Sequence, residues 1–286
     1  MFKEIAVEPA AVATSYRDFS YITEKFGIAE GRLIAAFPSK WKRFVYQEAQ
    51  ARLKGTAELS RLEVRLRALA DDTFLARGRP GEGCAENWLA AALAEHRREP
   101  FDGIITNAQV DGPFFVAAID LDGEHPVMRP NRQWHIQREA VVMAACCEPL
   151  LARAQHVKLV DPHFDPGTTR FRRPLVEFVK LTRPGVRIDI FRGDNADAAY
   201  IEQKLREALA GALPPGAEVR IFMRPQDALH NRYVLTDAGG MYFLTGLDDQ
   251  GQGGLTTDEV GLLEADVWSV QWGRYSGDDP IARWLG

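Results

Sequence analysis

The chain has 286 residues, of which 46% are hydrophobic, 26% charged and 10% aromatic. That is a globular composition, and it excludes disordered, collagen-like and coiled-coil arrays. A formal charge of −5 gives no whole-chain basic field, so a polyanion would have to be held by a local patch. Three cysteines, Cys84, Cys146 and Cys147, match neither a disulfide framework nor a C-x-x-C zinc site. No stretch nears the roughly 18 apolar residues of a membrane span, the start lacks a secretory pattern, and the expected location is cytoplasmic.

In chain order, the first third reads as helix. A segment over 17–26 ends at Gly27. Ser39 is placed to cap a helix over 40–54, with Trp41, Phe44, Val45, Ala49 and Leu53 on one face. Leu59, Leu62, Leu66 and Leu69 mark another over 57–74, and a turn-rich loop over 77–83 precedes a helix over 86–98. Short apolar runs at 103–107 and 114–120 read as strands. The stretch 121–134, with Gly123, Pro126 and Pro130, is the least regular. It divides the chain into a helix-rich domain with a few strands, 1–130, and a second domain, 131–286.

The second domain alternates. A helix over 138–153, which Pro149 should end or kink, is followed by strand 157–161, helix 171–182, strand 186–191, helix 196–212 and strand 218–223. Such alternation implies right-handed crossovers and parallel strands. Runs at 231–236, 241–245 and 259–263 follow too closely for crossovers and should add antiparallel strands. The expected class is α/β, a mixed sheet flanked by helices and preceded by a helix-rich region.

Ligands of open α/β sheets bind outside the carboxyl ends of the parallel strands. Asp161, His163 and Asp165 follow the first of these strands, Arg192 and Asp194 the second, and Arg224 the third; His230 and Arg232 open the next run. Singly, each reads as a solvated or hydrogen-bonded surface residue. Together at equivalent strand ends, the arginines suit an anion, above all phosphate.

The segment Leu229-His230-Asn231-Arg232 through Asp237, with Gly239-Gly240 and then Gly246-Leu247-Asp248-Asp249, resembles the phospholipase D superfamily. The signature of that family is H-x-K-x4-D with a downstream Gly-rich turn and a later acidic residue. His230, Arg232 and Asp237 fall at the His, Lys and Asp positions, Gly246 at the turn, and Glu259 at the trailing acid. Val160 to Phe164 is similar to the Asp-Pro-aromatic strand end of smaller members. The resemblance covers about 156–275.

It implies a phospholipase D-like fold and metal-independent phosphodiesterase or nuclease chemistry through a phosphohistidine, without cofactor. His230 would be the nucleophile and Asp237 its orienter. Arg232, with Arg192 and Arg224, would hold phosphate, and Asp161, Asp248 and Glu259 would support the site. The second acid/base would be His163 within one chain, or the motif histidine His230 of the partner subunit in a homodimer. The implied ligand is a phosphodiester, nucleic acid ahead of lipid, and by analogy the protein would serve a defence or DNA-processing assembly. The chemistry suits these residues: imidazole is basic enough to attack phosphorus near neutral pH, and a cation offsets charge on the phosphoryl oxygens.

The sequence departs from the family in three ways. Arg232 replaces Lys, Leu247 stands where a small residue is usual, and one motif is present where a family site uses two. The alternative is therefore a catalytically inactive module binding phospholipid headgroups or nucleic acid within a larger assembly.

Two basic segments lie outside the motif. Arg32 and Lys40-Trp41-Lys42-Arg43 could touch a nucleic-acid backbone with Trp41 stacking, or Trp41 is core. Arg170, Arg172 and Arg173 either extend a phosphate track or are solvated. There is no G-x-x-x-x-G-K-[ST], strand-anchored G-x-G-x-x-G or H-E-x-x-H. A metal set from Asp161, His163, Asp165, His230 and Asp248 matches no standard spacing.

Overall fold

A computed structural model describes all residues except 122–124, 130, 230, 252–255 and 278, and Asp227 by its backbone alone. Met1 aside, the chain forms two compact units, Phe2–Asn131 and Arg132–Gly286. Among the described residues they carry a five-stranded and an eight-stranded sheet.

The first unit runs β1 (Lys3–Val7), α1 (Pro9–Val12), α2 (Tyr16–Thr23), β2 (Arg32–Ala35), α3 (Trp41–Leu53), α4 (Ala57–Ala68), β3 (Phe74–Leu75), α5 (Trp88–Arg98), β4 (Gly103–Thr106) and β5 (Phe115–Ala117). The sheet is parallel throughout, in the order β3-β2-β1-β4-β5. This unit is thus itself α/β, and β1, β2 and β3 are strands in a region expected to be helical. All four residues of β2 and the last four of β1 are buried. Strands covered on both faces carry no polar-apolar alternation to announce them.

The two cores explain the covering. Ile5, Val7, Ile34 and Ile105 face one way and pack with Phe19, Trp41, Val45, Leu62 and Leu66 from α2, α3 and α4. Ala6, Ala35 and Ile104 face the other way, against Trp88 and Ala92 of α5. The helix expected over 57–74 stops at Ala68, because the chain must turn to deliver β3 beside β2. Ser39 does not cap α3, whose N-cap is Lys40 without a side-chain bond. Ser15, Thr56 and Asn87 do cap α2, α4 and α5.

The second unit runs β6 (Gln133–Gln137), α6 (Ala140–Leu151), β7 (His156–Val160), α7 (Thr169–Lys180), β8 (Arg187–Gly193), α8 (Ala198–Leu209), β9 (Glu218–Arg224), β10 (Arg232–Thr236), β11 (Gly239–Phe243), β12 (Thr257–Leu262), α9 (Ala265–Arg274) and β13 (Ala282–Leu285). The sheet order is β13-β9-β8-β7-β10-β11-β12-β6. Strands β7, β8 and β9 are parallel, and β10, β11 and β12 join antiparallel. Pro149 lies in the last turn of α6 without breaking it, held there by the burial of Cys146, Cys147, Leu150 and Leu151.

Alternation along each strand separates two faces. One lies under α6 and α7, marked by the contacts of Cys147 with Met241 and of Phe178 with Phe243. The other carries Val160, Phe191, Phe222, Tyr233 and Leu235 beside Trp268, Trp272 and Tyr275 of the α9 region. Among the described residues, no helix is long and apolar enough to cross a membrane.

Candidate phosphodiester site

Strand register gathers the central charges. Tyr233 of β10 pairs with Val160 of β7, and Val160 with Phe191 of β8. Continuing each ladder by one residue sets Asp161 between Arg192 and Arg232, all three on the face under α6 and α7. Asp161 and Arg192 are each 2% exposed. Burial raises the Asp161 pKa, and the N–H groups of Leu247 and His163 and the charge of Arg232 recover part of the shift. Burial likewise lowers the pKa of Arg192, against the raising influence of Asp165, Asp161 and Asp194.

Asp161 also organises the loops around it. Its Oδ1 accepts from the His163 N–H at 2.8 Å, and its Oδ2 from the Leu247 N–H at 2.8 Å. The second bond ties the turn after β11 to the end of β7. A Cβ at Gly246 would stand 2.6 Å from Asp248 Oδ1, so a side chain there would push that carboxylate off Arg138. Leu247, the bulky departure from the family pattern, is buried at 3% exposure.

Asp161 and His163 line a cavity of about 270 Å³ with Arg138, Arg170, Phe171, Thr245, Asp248 and Gln250. Arg138, placed by the turn from β6 into α6, donates to the Asp248 backbone carbonyl at 2.8 Å and pairs with its carboxylate. Its Nε is buried without a partner, as is Nη1 of Arg192. A buried donor that is left unpaired has a hydrogen bond in reserve.

The expected residues therefore divide. Asp161, His163, Arg192, Arg232 and Asp248 come to one strand edge. Arg224 does not join them: it pairs in register with Gly193, faces the α9 side, and donates to the Ser276 carbonyl at 2.7 Å. Asp237 sits at the opposite end of β10, roughly 16 Å of strand from Arg232. There it accepts from the N–H groups of Gln155 and His156, at 3.1 and 3.5 Å, so it anchors the start of β7 and is no orienter for this edge.

Glu259 is exposed and turned away from the site. The buried acid of β12 is Asp258, one residue earlier, whose Oδ1 accepts from the N–H and hydroxyl of Thr245, both at 3.0 Å. His230 lies outside the described residues. His163 is exposed, with its Nδ1 3.2 Å from Gln226 Nε2.

Arg138 and Asp258 were not singled out from the sequence. Counting back by two from Leu262 and Val260 would have found Asp258, whereas nothing local marks Arg138. Of the three arginines opening α7, Arg173 forks onto Asp249 and Arg170 stands 3.8 Å from Asp248. Arg172 is exposed. Among the described residues, no three His, Cys, Asp or Glu side chains form a metal-ligating group. No protein-family model matches the chain, and a search of curated proteins finds no match.

Proposed function

We propose that residues 132–286 form a phospholipase D-like unit that recognises phosphodiesters, with nucleic acid the favoured ligand. The observation that carries this reading is the in-register row Arg192–Asp161–Arg232 beside a cavity lined by His163, Arg138 and Arg170. Arginine forks suit phosphoryl oxygens, and Asp161 spaces two guanidinium groups that would otherwise repel. In the catalytic form, His230 attacks phosphorus and His163 protonates the leaving oxygen. A homodimer partner is the other source of a second histidine.

Incubation of the protein with labelled single- and double-stranded oligonucleotides and with a bis-aryl phosphodiester, all in EDTA, tests this form. The expected result is cleavage that disappears in His230→Ala. No turnover on any of the three substrates removes the catalytic form.

The binding-only form has its own support. His163 meets an amide, not a carboxylate, and Asp237 is engaged at the far end of β10. Here Arg232→Ala should weaken binding without abolishing it, and His230→Ala should leave it within about twofold, an outcome that titration of a labelled oligonucleotide reads directly. Acidic vesicles in the same titration distinguish a lipid headgroup. Cytoplasmic location and service in a defence or DNA-processing assembly belong to the same proposal.

A further inference from the structure

From the first unit we infer a separate nucleic-acid contact: the antiparallel pair α3 and α4 is a backbone-binding surface built from phosphate-seeking cations. Two members of the basic segment Arg32 and Lys40-Trp41-Lys42-Arg43 do not face a ligand. Trp41 is 1% exposed and donates its Nε1–H to the Val7 carbonyl at 2.6 Å, so it is core and stacks on no base. Arg32 is 7% exposed and donates to the Lys25 and Met128 carbonyls. Lys40 and Arg43 of the same segment do reach solvent, and they belong to a longer array.

Residues 40–68 hold eight Lys and Arg and three Glu, a local charge of +5 in a chain of −5. Their arrangement is regular. Lys40, Arg43, Gln47, Gln50 and Lys54 follow at spacings of three and four, so they form one stripe along α3, and all five are exposed. No carboxylate interrupts the stripe. Arg61 and Arg65 lie one turn apart on α4, also exposed. Among the described residues no ion pair engages Lys40, Arg43, Lys54, Arg61 or Arg65, whereas Arg52 and Arg67 pair with Glu48 and Glu63 on their own helices. Arg43 borders a cleft of about 360 Å³ between the helices, shared with Lys42, Tyr46, Leu66 and the Arg67–Glu63 pair.

The stripe spans roughly 21 Å from Lys40 to Lys54, the axial rise of about six nucleotides of one strand. Glutamines between the cations can donate to phosphate oxygens without adding charge. A membrane surface fits less well. A helix lying on lipid needs an apolar face beside its basic one, and the apolar face of α3, Trp41, Val45 and Ala49, is already spent on the core. Nucleic acid is also the ligand favoured for the second unit, but the residues here are different and none belongs to that site.

Fluorescence anisotropy with a labelled 20-nucleotide strand and a 20-base-pair duplex, each titrated at several salt concentrations, tests the inference on the full chain. Lys40→Gln/Arg43→Gln/Lys54→Gln should weaken binding at least about tenfold near 0.1 M salt and flatten the plot of log Kobs against log salt by about 2 to 3. Gln47→Glu/Gln50→Glu should weaken it comparably while leaving the thermal melt unchanged. Arg232→Ala should leave the salt slope of the stripe in place.

Wild-type affinity and slope in the triple variant would overturn the inference, as would complete loss of binding in Arg232→Ala alone. Absence of wild-type binding to either oligonucleotide does the same. A stripe variant that loses only binding to phosphatidylserine vesicles replaces nucleic acid with a lipid surface.

Discussion

Two neighbouring acids on β12 show how far a single residue position decides a role. Asp258 and Glu259 have the same charge, but alternation turns the first into the sheet and the second into solvent. Asp258→Ala leaves the Thr245 N–H and hydroxyl without their acceptor and should cost about 1–3 kcal/mol in urea unfolding. Glu259→Ala should stay within about 0.5 kcal/mol. Equal losses would show that this strand does not keep its register. The site was legible in the sequence where spacing along one strand sufficed, as for Arg232 and Asp161. It was illegible where parity or a distant loop decided, as for Asp258 and Arg138. A second residue-scale consequence concerns Lys158, on the α9 face, whose ammonium donates to the Trp272 carbonyl at 2.7 Å and lies 3.7 Å from that ring centroid. Burial lowers its pKa to about 8, with Asp189 opposing and Arg187 and Arg220 adding to the shift. The unfolded chain keeps this proton to about 10.5. Between those values the unfolded state binds more protons, so stability from Lys158 rises with pH across the window and is flat below it. Lys158→Met should abolish that rise. Urea midpoints for the two proteins between pH 7.5 and 9.5 should converge or diverge steadily, and parallel lines would exclude the low-titrating lysine.

At the scale of elements, those with strong periodicity were readable and the brief ones were not. The β7-α7-β8-α8-β9 run was visible because each helix spans three turns and each strand is bounded by Gly, Pro or Asp. Strand β6 was hidden within a stretch rich in Pro and Gly, since its pattern of burial is weak and its partner β12 lies over a hundred residues away. Strand β13 was equally silent, yet it covers the outer edge of β9 through the pairs from Ala282 with Ile221 to Leu285 with Glu218. Arg283 pairs with Glu218, and Arg206 of α8 stacks over Trp284 at 4.4 Å. An uncovered strand edge is a template for association. Removing 281–286 should therefore lower the melting temperature and bring concentration-dependent association, visible in light scattering across a tenfold dilution series. A truncated chain that stays monomeric and melts like the full one would mean that β13 contributes pairing without protection.

Each hydrophobic cluster among the described residues is drawn from one unit alone. The clusters around Trp41 and Trp88 use residues between Ile5 and Met128, and the cluster around Phe191 uses residues between Val160 and Tyr275. A cooperative unfolding unit is a set of groups sharing such burial, so the full chain should melt in two transitions that fragments 2–131 and 132–286 reproduce separately. Ligand linkage then assigns function to each. A ligand stabilises only the unit that binds it, by about 2.7 kcal/mol at a hundredfold excess over Kd. Inorganic phosphate should raise the transition of 132–286 through the Arg192–Asp161–Arg232 row and lose that effect in Arg232→Ala. An oligonucleotide should raise the transition of 2–131 as well, and the triple α3 variant should remove only this second shift. Calorimetry of the full chain and both fragments separates the outcomes. A single transition, or a phosphate shift confined to 2–131, would contradict the proposed division of labour, phosphate at the sheet edge of 132–286 and a nucleic-acid backbone on the helix pair of 2–131.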